Sequence, residues 1–479
     1  MALRMPKHPE LGGERNPLLE ALAPFVPLSG LPAVLKTEPL KKIRWQSLKP
    51  EFREVHLGQI ENHYWPVAPQ LEVCADIQSM LRAGLMARNP LSKAEQLRIN
   101  MLALAPDAAG LKLQSLRKRA GGAIVSAITG MGKSTQVERA LAAFAPQQII
   151  VHRQNKACGW STLTQVAYLI ADAPPNATRY GLFEAIIGAL DRLLGTDYAS
   201  VLRRQKNIDA GLVYVAKTLS IHRVGLLVID ESQEETLTKN HWGLEFILVF
   251  LGLMNLGIPV VLMGNPLAFT DLDKGAQLTR RFASHGWHEL VPAESPAEKW
   301  WRKQFVVGEV RFSLCEDSLS VDEVVDASFE FDQGIPGLFS ALWAETIRIA
   351  LRRGGTTAVM KAADIAAAAK TPRFRKLAEI AKSIKIGNST GRYRDLPSKP
   401  PTSGADSGQR QTGAPSAQDI VAAVRRLASK LKRQEARQKT KDDKDRHLRM
   451  TSAEDDLRRG TDAMSILASL GNEQGEMDI

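Results

Sequence analysis

Residues 127–134 read Ala-Ile-Thr-Gly-Met-Gly-Lys-Ser, a run that could cradle phosphate. A phosphate-binding loop has the form G-x-x-x-x-G-K-[ST]. Gly132, Lys133 and Ser134 fit it, Gly130 adds a further glycine, and Ala127 stands where the pattern has its first. Glycine frees the backbone to turn N–H groups inward around phosphate oxygens. A helix opening near Lys133 adds its positive end. Lys133 can then reach the β- and γ-phosphates, and the Ser134 hydroxyl can serve Mg²⁺. The candidate residues for binding ATP are Thr129, Gly130, Met131, Gly132, Lys133, Ser134 and Thr135. Ala127 is tolerable there only if its backbone avoids, or accepts, a left-handed conformation.

Three further groups lie downstream at spacings that suit the same chemistry. Val224–Glu231 (VGLLVIDE) is an apolar run ending in two acids. A buried strand that ends in an acid brings a carboxylate to the sheet edge where open α/β folds bind ligands. Asp230 is the candidate Mg²⁺ residue and Glu231 the candidate base for an attacking water. Pro259–Asn265 (PVVLMGN) is a second such run. If it lies beside the Asp230 strand, the Asn265 amide falls near the γ-phosphate. Alternatively, Asn265 simply turns the chain before Pro266. Gln277–Phe282 (QLTRRF) offers Arg280 and Arg281, either of which could complete a neighbouring subunit's site in a ring.

The elements that must position these groups follow from the pattern. Strand-like runs at Ala123–Ile128, Gln148–His152, Val224–Ile229 and Pro259–Met263 alternate with helical stretches, and Trp287–Leu290 (WHEL) is a last candidate. Such alternation predicts a parallel sheet with helices on both faces, here a P-loop NTPase fold over 111–290. Residues 291–386 read as an all-α lid. Residues 61–110 read as a helical segment before the core, with Ser92 and Glu95 placed for a capping box. Residues 1–60 (including LKTEPLKKIRWQSLKPEFR) read as an extended basic arm with short ordered pieces. Residues 387–417, rich in Gly, Ser and Pro, read as a disordered linker. Residues 418–479 read as a basic helical tail, either a solvated helix or a docking or nucleic-acid-binding segment. No repeat at solenoid periods is evident.

The chain's 479 residues suggest two or three units. Its net charge of +11 favours polyanion partners, nucleic acid first. Cys74, Cys158 and Cys315 stand far apart, which excludes a CxxC zinc site or disulfide framework and fits a reducing, cytoplasmic setting. The longest apolar stretch, Leu244–Ile258, contains Glu245 and is too short to span a bilayer; it predicts a buried helix, and no membrane partner is expected. Lys156 and the basic cluster at 425–449 are candidate DNA contacts; Trp160 and Trp242 suit core positions as well as contacts.

The order AITGMGKS, VGLLVIDESQE, VVLMGNP, QLTRRF and then a helical lid resembles the AAA+ fold, and more narrowly the TnsC/TniB group of transposition regulators from Tn-seven-like elements. Tyr64–Pro90, with its Arg-Asn-Pro ending, Leu190–Tyr198 (LDRLLGTDY) and Gly334–Gly337 (GIPG) carry the narrower resemblance. It covers roughly 60–385. It implies an ATP-bound homo-oligomeric ring or filament on double-stranded DNA that links a target-selection protein to a transposase and hydrolyses ATP to disassemble. It also implies Mg²⁺ and water roles for Asp230 and Glu231, a sensor role for Asn265 and a trans arginine at Arg281 or Arg280. This chain departs from the pattern at Ala127 and at Leu338, where many AAA+ proteins have a sensor arginine. Other readings are a helicase loader or replication initiator, and a nucleotide-sensing signalling adaptor; Glu231 argues against the adaptor.

Overall fold

Gly122–Ala127 forms β1, and all six residues are buried. A strand this apolar must be covered on both faces, and it is. In this computed structural model the described residues are 15–104, 120–174, 178–232, 243–269, 276–387 and Leu396. The chain divides into two units, Met1–Ser407 and Gly408–Ile479, and every described residue belongs to the first. The expected tail at 418–479, Trp242 and nearly all of the expected linker lie outside the described residues.

The strands are β1, β2 (Ile149–His152), β3 (Leu163–Val166), β4 (Tyr168–Asp172), β5 (Leu226–Ser232), β6 (Val260–Gly264) and β7 (Trp287–Leu290). Five form the main sheet in the order β4-β5-β6-β1-β7, with every neighbouring pair parallel. Side chains alternate across it as strand geometry requires. Ala123, Val125, Leu226, Val228, Val261 and Met263 face one core. Ile124, Leu227, Ile229, Val260 and Leu262 face the other.

The helices that cover these faces are α1 (Ala68–Ala87), α2 (Lys93–Leu104), α3 (Lys133–Phe144), α4 (Arg179–Leu194), α5 (Ile208–Ile221), α6 (Gly243–Asn255) and α7 (Ala276–Phe282). Val73, Ile77 and Leu81 of α1 and Val137 and Leu141 of α3 fill the first core. Phe183 and Ile186 of α4, Val215 of α5 and Phe246 and Phe250 of α6 fill the second. The apolar run near 244–258 is thus the buried helix α6. No helix among the described residues is long and apolar enough to cross a membrane.

The second strand differs from expectation. Gln148–His152 supplies β2, but β2 pairs antiparallel with β3 in a separate two-stranded ribbon. The sheet position beside β5 belongs to β4 (YLIAD). Both runs are short and largely apolar, and β2 is the more β-branched of the two; what decides is the run of β3 almost directly into β4, which leaves β2 to fold back on β3.

Four lid helices follow: α8 (Val321–Asp332), α9 (Pro336–Gly354), α10 (Ala362–Lys370) and α11 (Pro372–Ile386). Their core holds Trp301, Phe305, Phe339 and Trp343, with Trp301 stacked on Phe305 at 4.8 Å between ring centres.

Residues 15–66 are not extended. They form short helical turns at Pro17–Glu20, Leu31–Leu35 and Pro50–Val55. Leu18, Leu19, Leu31 and Leu35 are buried in the core shared with α1 and α3. Farther along, Arg53 is buried and donates to the carbonyls of Leu314 (3.3 Å) and Thr356 (3.1 Å) in the lid. Glu54 pairs with Arg348 and Arg352 of α9. The composition suggested an extended basic arm with short ordered pieces; these turns are such pieces, and their leucines and one buried guanidinium tie core to lid.

Glu95 is also used differently. It opens α2 as expected, but its carboxylate is fully buried between Arg98 at 2.7 Å and Arg223 at 3.0 Å instead of capping the helix.

Candidate functional site

The phosphate loop joins β1 to α3. Ala127 closes β1 beside Leu290 of β7. The positive-φ non-glycine residues among those described are Arg223 and Gln333, so Ala127 keeps an ordinary backbone. That is why alanine is accepted where the pattern has glycine. Gly130 and Gly132 do take left-handed angles, φ +84° and +77°. Gly132 is the N-cap of α3, and no side chain caps that helix. Its first N–H groups are therefore left for an anion. Thr129, Gly130 and Thr135 are exposed, Lys133 and Ser134 are half-buried, and Met131 is buried beneath the loop.

β6 lies between β1 and β5, so the loop, Asn265 and the two acids share the carboxyl edge of three adjacent strands. Ile229 pairs with Leu262 and Ser232 with Gly264, so β5 holds one extra residue across Asp230–Glu231. Such a bulge bends the strand and re-aims its side chains. Asp230 is 7% exposed and pairs in register with Asp172 of β4. Glu138 on α3 feels this acidic edge: burial first, then the charges of Asp230 and Asp172, push its carboxyl above the usual range. Asn265 is buried and its Oδ1 accepts from the Ala268 N–H at 3.0 Å. It therefore caps the turn that begins at Pro266, and it follows the strand that lies between those of the loop and the acids.

Arg280 and Arg281 separate cleanly. Arg281 donates to Asn255 Oδ1 at 2.7 Å. Arg280, on the same helix α7, is exposed.

The lid meets the loop directly. The Gly337 N–H at the start of α9 donates to the Gly130 carbonyl at 2.8 Å. Leu338 is buried among Ile335 and Met131, so the position expected to lack a sensor arginine packs under the loop. Beside this joint lies a cavity of about 410 Å³ lined by Val67, Gln70, Met131, Trp287, Trp300 and Pro336, among others. Its volume and mixed lining suit a planar base. No motif marked it, because its walls come from the segment before the core, the last strand and the lid.

The stretches that carry the narrower resemblance have structural roles. Arg88 is buried and donates to the Val224 carbonyl at 2.8 Å, pinning α1 to the start of β5. Asp191 accepts from the N–H groups of Tyr198 and Ala199, both at 2.8 Å, and so closes the turn after α4. Gly334, at φ +71°, lies where a Cβ would come within 2.5 Å of the Ala293 carbonyl oxygen.

The fold is that of an AAA+ P-loop NTPase, a five-stranded parallel sheet clad by helices and followed by a helical lid. Residues 116–272 match the family described as AAA domain. Among solved structures, the chain is similar to the Orc1 protein of Aeropyrum pernix in complex with DNA, with 17% identity and a TM-score of 0.36, over 60% of this chain and 66% of that one. It is similar also to Cdc6p from Pyrobaculum aerophilum, with 14% identity and a TM-score of 0.33, over 55% and 63%. The chain spans just under two thirds of the length of each. No curated protein matches it.

Proposed function

We propose that the chain is an ATP-driven AAA+ switch that assembles on double-stranded DNA, and that it regulates transposition by linking a target-selection protein to a transposase. The observation that carries the nucleotide half is the uncapped start of α3 behind two left-handed glycines, facing the acids across β6. Loop N–H groups and Lys133 hold the phosphates. Ser134 and Asp230 fit a Mg²⁺ ion, being a hydroxyl and a nearly buried carboxylate at the same end of the sheet, on either side of β6. When bound, that ion would supply positive charge to offset the charge that develops on the phosphates. Glu231, next along the bulged strand, takes the proton of the attacking water, and Asn265 orients that water. Arg280 reaches into a neighbouring copy's site, since Arg281 is held by Asn255. The cavity beside Met131 receives the base. The DNA half rests on the net charge of +11, and the transposition role rests on the sequence resemblance.

The test is electron microscopy and sedimentation of the full chain with duplex DNA, with and without ATP. Rings or filaments that need both support the proposal. A monomer indifferent to DNA leaves the nucleotide site alone and favours the adaptor reading.

A further inference from the structure

A second cleft, of about 470 Å³, opens between the N-terminal segment and the lid, away from the phosphate loop. Its floor is apolar and aromatic: Leu40, Ile43, Trp45 and Phe312. Its charged residues are Lys41, Arg44 and Arg311 against one carboxylate, Glu38. Glu38 is already satisfied by Lys41 at 2.9 Å and Lys36 at 3.2 Å. Arg44 and Arg311 are exposed, and among the described residues neither has a carboxylate partner. Arg311 is fixed in place by Trp65, its guanidinium 4.8 Å from that ring's centre, with Lys36 also over the ring at 4.6 Å. Trp45 is half-buried, with Arg53 5.2 Å from its ring centre.

Unneutralised arginines at the mouth of a recessed aromatic cleft match the chemistry of single-stranded nucleic acid. Cations track the phosphodiester backbone, and an unstacked base lies on the apolar floor. A duplex presents a convex backbone with its bases stacked inside, so it could reach only the rim. A peptide carboxylate would use the cations and leave the floor empty. We propose that this cleft binds a single-stranded nucleic acid segment, with phosphates at Arg44 and Arg311 and a base against Trp45. The site stands apart from the nucleotide site and does not depend on its assignment.

The test uses the full chain and a labelled oligo-dT on the order of 20 nucleotides long, read by fluorescence anisotropy across a salt series. Duplex DNA and polyglutamate serve as competitors. Wild-type protein is expected to bind oligo-dT, and neither competitor is expected to match unlabelled oligo-dT. Arg44→Glu with Arg311→Glu is expected to weaken binding and to flatten the salt slope by about 1.4, at about 0.7 per lost phosphate contact. Trp45→Ala is expected to lower affinity roughly tenfold. Trp45 also packs against the lid, so the exposed-arginine variant is the decisive one. Lys133→Ala is expected to leave oligo-dT binding unchanged, which separates this site from the ATP site. Wild-type affinity in the double-arginine variant overturns the proposal. So do loss of binding confined to Lys156→Glu on the β2–β3 ribbon, equal competition by polyglutamate or duplex, and absence of oligo-dT binding by wild type.

Discussion

The Gly337 N–H donates to the Gly130 carbonyl at 2.8 Å, so the first turn of the lid helix is bonded to the backbone of the phosphate loop. Both positions are tightly packed against each other's segment. A Cβ at Gly337 would lie 3.0 Å from that same carbonyl oxygen, and one at Gly130 would lie 2.9 Å from Ile335 Cγ2. Gly130 is also left-handed, at φ +84°. A rearrangement of the loop on nucleotide binding would therefore be passed straight to α9. Gly130→Ala is expected to cost about 1–2 kcal/mol from backbone strain alone, and to weaken ATP binding. Thermal unfolding and an ATP titration check it, and wild-type values in both would show that the contact carries no load.

Lys133→Ala should abolish nucleotide binding, measured by titration with a fluorescent ATP analogue. Glu231→Gln should keep binding and turn over at least roughly a hundredfold more slowly, the scale of a lost general base. Normal turnover in Glu231→Gln would remove that residue from the base role while leaving the loop assignment intact.

Arg280 and Arg281 should fail in different ways. Arg280→Ala is expected to fold and bind ATP normally but to lose DNA-stimulated hydrolysis, by about 10³-fold or more if it acts in trans. Mixing it with Lys133→Ala should restore some activity, because each variant supplies what the other lacks. Arg281→Ala should instead lower stability by about 1 kcal/mol through its lost bond to Asn255. A denaturant melt paired with an ATPase assay distinguishes them; the reverse pattern would move the trans role to Arg281.

Glu309, in the lid, is buried and accepts from Ser340 Oγ at 2.9 Å. Burial pushes its carboxyl up to about 8 from an ordinary 4.5, against the opposing effect of that hydrogen bond. Below pH 4.5 the folded and unfolded states are both protonated. Between 4.5 and about 8 the unfolded chain releases a proton that the folded chain keeps, so stability falls as pH rises across that window and levels off above it. Asp332, raised to about 7 mainly by burial, adds to the same fall. Glu309→Gln should make the Tm of the lid less steeply pH-dependent between pH 5 and 8 and raise it at the alkaline end. An unchanged Tm–pH curve would mean that Glu309 ionises freely.

The framework of the candidate nucleotide site was legible in the sequence because its pattern is local. The loop requires glycines at fixed offsets from Lys133, and a strand buried on both faces has to be apolar up to the acid that ends it. Residue order alone therefore determined the loop, Asp230 and Glu231 on one strand, Asn265 just past the end of the next, and the helical lid. Tertiary structure decided what depends on which segments meet. β4 rather than β2 took the place beside β5, since two short apolar runs look alike until one is folded back on β3. Glu95 left its capping role because Arg98, one turn along the same helix, and Arg223, far away in sequence, share it as a buried counter-charge. Arg281 was distinguished from Arg280 only by the arrival of Asn255. The basic N-terminal segment became a tie between core and lid because its leucines and Arg53 found partners that composition could not reveal. Packing and burial are properties of residues brought together from across the chain, and no local window of sequence contains them.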